Sequence, residues 1–183
     1  FGRQCIAPLL IELAQEHPGL ELEMSFSDRI VDLVEEGFDM AVRNGTLADS
    51  AVLVARRLGV HRMVLCAAPD YLIKNGQPQS VDDLRQYTAI NYTRAGRVLP
   101  WQLMDYDGTS RTFIPRSSLN MDDLQAICDA ALAGHGIAWL PCWMVIKEIH
   151  QGNLVPLFKQ APDVRFDVHA VWQQTPHLPL RVR

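Results

Sequence analysis

Two pairs of neighbouring aspartates, Asp82-Asp83 and Asp122-Asp123, have the composition of a metal or acid–base site. Each pair also stands where a helical pattern begins. Acidic side chains in a first helical turn complement the helix dipole, and the sequence favours that plainer role. His135 lies between Gly134 and Gly136. Gly-His-Gly is neither a phosphate-binding loop nor a dinucleotide fingerprint, and a surface imidazole fits it better than a catalytic base. Arg43 is able to clamp a carboxylate, and equally able to pair with Asp28, Asp39 or Asp49. Trp139 and Trp143 flank Pro141 and suit a pocket wall as well as a core. No GxSxG elbow and no HExxH pair occurs. The cysteines, Cys5, Cys66, Cys128 and Cys142, are far apart, form no CxxC and sit in apolar surroundings. They read as small buried thiols in a reducing cytosol rather than as two disulfides. No catalytic residue, metal or cofactor is expected. The chemistry points to a binding domain rather than an enzyme.

Composition narrows the class further. The chain has 183 residues, 48% hydrophobic and 21% charged, enough for one domain or two small lobes. Its longest apolar runs fall well short of the ~18 residues of a membrane span, so no membrane partner is expected. Phe1-Gly2-Arg3 opens without a signal-peptide pattern, which suggests a cytoplasmic protein. Seventeen Lys and Arg against 21 Asp and Glu leave a net charge of -4. That balance argues against nucleic-acid binding by this chain, because phosphate contacts need a concentrated cationic surface.

The elements that must position these groups follow from periodicity. Ile6, Leu9, Leu10 and Leu13 predict an amphipathic helix over 6–16, ended by Pro18-Gly19. LELEMSF, residues 20–26, alternates strictly and predicts a half-buried strand. Ser27 or Asp28 then caps a helix carrying Ile30, Val31, Leu33 and Val34, with Gly37 at its C-terminus. A short strand follows over 39–43. Strands are expected over 52–58, 61–68 and 88–93, with a helix after Pro69 and one turn after Ser80. Residues 94–111 are weakly patterned. A strand near 112–119 leads to Asn120 as cap of a helix through Ala133, then IAWLP as a buried strand, a helix over 142–151, and strands in LVPLF and DVHAVWQ. Such alternation predicts an α/β fold with largely parallel sheets. Ligands then sit beyond the carboxyl ends of strands, where helix N-termini also point. Ser27-Asp28, Arg43-Asn44-Gly45 and Asn120-Met121 all follow strands.

The run APLLIELAQEHPGLELEMSFSDRIVDLVEEGFDMAVRNGTLADSAVLVARRLGVHRMVLCAAPDYL, with DAALAGHGIAWLPCWMV and GNLVPLF further on, resembles the effector-binding domain of LysR-type transcriptional regulators. The resemblance covers almost the whole chain, and DLVEEGFDMAVR, LADS and CAAPDYL are its most specific segments. It implies a fold like the type-2 periplasmic binding proteins: two Rossmann-like α/β lobes joined by two crossover strands around a cleft. Lobe I would comprise 1–66 and 170–183, and lobe II 67–169. The family's first strand would precede Phe1, and LPLRVR would begin its last helix, so both are expected to be truncated here.

The resemblance also implies the site and partners. Ser27, Asp28, Asn44, Gly45, Asn120 and Met121 would face the cleft, with Trp101, Gly136 and Trp139 completing the ligand-binding set. A small-molecule effector is implied, by default a small carboxylate or polar aromatic. Partners would be a second copy of the chain, with a tetramer open for the full-length protein. DNA would be reached only through an N-terminal winged helix-turn-helix outside these residues. Leu9 and Leu13 of one protomer would meet Leu124 of the other. A free-standing solute-binding protein of the same fold is the alternative.

Overall fold

The computed structural model describes residues 1–27, 29 and 31–175. The chain divides into two compact units: Phe1–His61 with the chain from Phe166 onward, and Arg62–Arg165. These divisions fall a few residues before the expected lobe ends near 66 and 170.

The second unit is built on strands that bury both faces. β2 (Leu53–Ala67) enters it; its Met63–Cys66 stretch pairs antiparallel with β8 (Ile137–Pro141), and Cys66–Ala67 with β9 (Val155–Pro156). β3 (Ala89–Arg94) runs parallel to β8 and to β7 (Ser117–Met121). Period-2 alternation sorts the side chains. Leu65, Ala67, Ala89 and Ile137 join a core with Tyr71, Leu84, Trp101 and Leu103. Their neighbours Cys66, Ile90, Ala138 and Leu140 join another core with Ile127, Cys128, Ala131 and Val145. The first core is covered by α2 (Pro69–Asn75), a 3-10 turn over Asp82–Gln86, and the hairpin of β5 (Trp101–Met104) and β6 (Ser110–Phe113). The second is covered by α3 (Leu124–Leu132) and α4 (Cys142–His150). Burial pushes the Cys66 thiol up to about 12, with Cys128 adding to it. Burial likewise pushes Cys128 up to about 11, helped by Asp129 and Glu148. All four cysteines are free; Cys5 and Cys142 are partly exposed.

Thr88 ties the layers together. The Tyr71 hydroxyl accepts from its N–H at 3.0 Å and donates to its carbonyl oxygen at 3.2 Å. The Ile137 N–H donates to the same carbonyl. Gly136 passes so close that a Cβ there would sit 2.6 Å from the Thr88 oxygen. Gly136 is therefore a close-approach glycine inside the fold.

The first unit is sparser. A π turn over Gly2–Ile6 runs into α1 (Ala7–Glu16), of which only Ala7 is buried. β1 (Ala41–Asn44) pairs antiparallel with β10 (Arg165–Gln173), Ala41 opposite Val171 and Asn44 opposite Val168.

Several expectations need correction here. Residues 20–26 form no strand, because no neighbouring strand among the described residues offers them a ladder. The helix expected after Ser27-Asp28 is reduced to one turn over 33–37. Asp32 caps it, accepting from Val34 and Glu35 N–H groups. Gly37, at φ 74, closes it as expected, with the Phe38 N–H reaching the Leu33 carbonyl. Segments 52–58 and 61–68 are one continuous strand. Of the registers given above, those of β3 with β7 and β8 are parallel and the others antiparallel. The weakly patterned 94–111 holds β4 (Arg97–Val98) and most of the β5–β6 hairpin. LPLRVR lies outside the described residues.

Candidate functional site

Three parallel strands of the second unit, β3, β7 and β8, end on one edge, the side where open α/β sheets receive ligands. Their register sets the residues there. Asn91 stands beside Asn120, and Tyr92 beside Met121. Ile90 stands beside Ala138, the last pair of the β3–β8 register, with Asn91 and Trp139 next along each strand. Partners on parallel strands project from one face. Ile90, Ala138 and Leu119 all face the Ile127 core. Trp139, Asn91 and Asn120 therefore form a row on the other face. Trp139 packs against the Trp101 core and is half-buried; Asn91 is buried; Asn120 is exposed.

The expected residues thus separate. Asn120 and Trp139 belong to this row. Met121 ends β7 too, but its side chain leans onto the opposite core. Asn120 does not cap α3, as the sequence suggested. Asp123 does, its Oδ1 accepting from the Ala126 N–H at 2.8 Å, because β7 runs on through Met121 and the helix begins only at Leu124. Trp101 is a core residue, edge-on to Phe113 at 6.2 Å, and Gly136 serves the Thr88 contact.

In the first unit, Asn44 and Gly45 do end a strand. Asn44 is exposed, and the Gly45 N–H is taken by the Asp167 carbonyl at 2.8 Å. The Arg43 Nη2 donates to the Val31 carbonyl at 2.6 Å. The Ser27 Oγ accepts the nearby Arg29 N–H at 3.1 Å. Asp28 lies outside the described residues.

Elsewhere the reactive-looking groups have structural work. Asp83 accepts from the Gln79 and Ser80 N–H groups, which hold its carboxyl below the ordinary range. Ser80 answers by accepting from the Asp83 N–H, completing a capping box. Asp82 pairs with Arg85 at 3.8 Å. His135 is exposed. At the end of β8, Arg62 lies beside Cys142 and 3.1 Å from Asp163, and both partners hold its guanidinium above the ordinary value, Cys142 first. No group of three His, Cys, Asp or Glu among the described residues is placed to hold a metal. No described helix is long and apolar enough to cross a membrane.

Sequence reasoning missed Asn91. The only available signal was a polar residue inside the apolar run AINYT, which a strand pattern reads as an ordinary outward position.

Comparison with known proteins assigns this frame. The family model of the LysR substrate binding domain matches residues 1–183. An HTH-type transcriptional regulator of Haemophilus influenzae is 34% identical over 182 residues, all of this chain and 62% of that protein. The HTH-type transcriptional activator AaeR of Escherichia coli K12 is 33% identical over 186 residues, all of this chain and 59% of that protein. The chain thus spans about three fifths of the length of these relatives. Among solved structures, the regulatory domain of CrgA, a LysR-type transcriptional regulator from Neisseria meningitidis, superposes with a TM-score of 0.84 at 28% identity. That match covers all of this chain and 88% of the CrgA domain. The chain belongs to the LysR substrate binding domain family, with the type-2 periplasmic-binding-protein-like fold of LysR regulatory domains.

Proposed function

We propose that the chain is the effector-sensing and oligomerising part of a cytoplasmic DNA-binding regulator, and that its effector is received at the carboxyl ends of β3, β7 and β8. The observation that carries the site is the Trp139–Asn91–Asn120 row, where an indole and two carboxamides share one face. Within the first unit, Asn44 and Gly45 at the end of β1 are proposed as ligand-binding residues. The effector acts by binding one arrangement of the protein better than another, and it shifts operator affinity by that difference and no more. DNA contact belongs to a helix-turn-helix outside these 183 residues, as in the HTH-type relatives. The net charge of -4 supports that division of labour. The family match and these relatives favour a regulator over a free-standing solute-binding protein.

A second copy of the chain is the proposed partner for α1, whose Leu9, Ile11 and Leu13 stand exposed. Sedimentation of the full-length protein at micromolar concentration should show a dimer, and Leu9→Asp should weaken it. The function is tested by operator binding of the full-length regulator, titrated with a panel of small metabolites. One of them should move operator affinity, and Asn120→Ala should weaken that response while the melting temperature stays near wild type. A regulator deaf to every metabolite refutes the reading.

A further inference from the structure

We propose that Asn91 is a ligand-recognition residue, and that the effector presents an N–H or O–H group to its Oδ1 oxygen. The proposal rests on the effector-binding reading above and names the ligand chemistry of that site.

Asn91 is 1% exposed, the one polar residue among the buried side chains described. Its Nδ2 donates to the Pro115 carbonyl at 3.2 Å. A carbonyl oxygen only accepts, so the amide is fixed: the NH2 group must face Pro115 and Oδ1 must face away. That oxygen is buried and has no donor among the described residues. Buried side-chain acceptors without a donor are uncommon and call for an explanation, because desolvation without a hydrogen bond is unfavourable. Its position supplies one. Asn91 pairs with Asn120 near the end of β7 and directly follows Ile90, the last β3 residue paired to β8.

The surroundings select the donor's charge. The N-terminus of α3 would attract an anion, but the Asp123 carboxylate already occupies it, and the exposed Asp122 stands next to it. A carboxylate ligand therefore loses that support, and an acceptor facing it would repel it. The fitting class is a neutral or cationic donor: an amide, an amine or an alcohol. The indole of Trp139 beside Asn91 suits a flat one.

The test uses the full-length regulator and three probes of similar size: benzamide, N,N-dimethylbenzamide and benzoate. Binding is read by tryptophan fluorescence. Benzamide should bind wild type about tenfold more tightly than either of the others, the factor expected for one hydrogen bond to a buried acceptor. Asn91→Leu should erase that preference; because it also removes the Nδ2 bond to the Pro115 carbonyl, its melting temperature is read beside the binding. If Asn91→Leu does not fold, the probe comparison on wild type decides, together with a crystal structure of the benzamide complex showing its N–H at Asn91 Oδ1. Absence of benzamide binding, no preference among probes, a preference that survives Asn91→Leu, or only a buried water at Oδ1 would each overturn the proposal. If those occur while some other metabolite still shifts operator affinity, Asn91 is misassigned and the effector reading stands. If no metabolite shifts operator affinity, the effector reading itself fails.

Discussion

The two units treat similar patterns in opposite ways. Residues 124–132 and residues 30–36 both carry apolar side chains at helical spacing. The first becomes α3, nine residues long, with Ile127, Cys128 and Ala131 buried against β3 and β8. The second becomes a single turn in which Leu33 is buried and Val34 is exposed. In the same way TAINYT forms a strand between two neighbours, while LELEMSF, with the cleaner alternation, forms none. An amphipathic segment adopts its pattern when there is a surface to receive its apolar side, since most helical stability comes from packing rather than propensity. Of the large hydrophobics that stand exposed, most belong to the first unit: Leu9 at 62%, with Ile11, Leu13, Leu22, Phe26, Val34 and Val52.

The sharpest way to break this contrast is to truncate one leucine in each unit. Leu140, fully buried, should cost about 2–5 kcal/mol as Leu140→Ala. Leu13→Ala should cost no more than ~0.5 kcal/mol in a monomer. Urea unfolding followed by tryptophan fluorescence reads both. A Leu13→Ala cost that grows with protein concentration would show that a second copy covers α1, whereas an equal cost in dilute protein would erase the distinction drawn here.

A pair of glycines gives a smaller difference. Gly136→Ala forces a methyl against the Thr88 carbonyl and should cost about 2–3 kcal/mol by thermal or urea unfolding. Gly37→Ala meets nothing within 4 Å and pays only for its positive φ, roughly 1 kcal/mol. Next come the caps. Asp123→Ala should cost about 1 kcal/mol, and Asn120→Ala only a few tenths, reversing the roles that the sequence suggested for them. Equal losses would return Asn120 to the cap. The smallest effect is electrostatic. The Asp83 carboxyl is held below its ordinary range in the folded chain, so it adds stability above its unfolded value of about 4. That contribution is lost as pH falls through the depressed folded value. Asp83→Asn should lower stability slightly at neutral pH, change it least at acid pH, and so flatten the acid limb of a stability–pH curve.

Much of the second unit was legible in advance. α2, α3, α4, β3 and β8 lie close to where periodicity put them, because each pattern found its neighbour. The β5–β6 hairpin was hidden: only Trp101 and Leu103 alternate visibly, and the Asp107-Gly108 turn was the clue passed over. The first unit misled for the opposite reason, since its patterns were clear and their partners are not among the described residues. At the candidate site, residue type located Asn120 and Trp139 but not Asn91. A buried asparagine and a surface one look alike until the register places them side by side.

The two core thiols have a practical consequence for reagent chemistry. With burial raising Cys66 to about 12 and Cys128 to about 11, little of either exists as thiolate at neutral pH, and both are shielded by packing. Maleimide or iodoacetamide dyes will pass them by in the folded domain and attach at Cys5 and Cys142, one in each unit. The native sequence thus accepts a donor–acceptor fluorophore pair without any engineered cysteine, and the distance between the two dyes becomes an optical gauge of whatever rearrangement an effector produces.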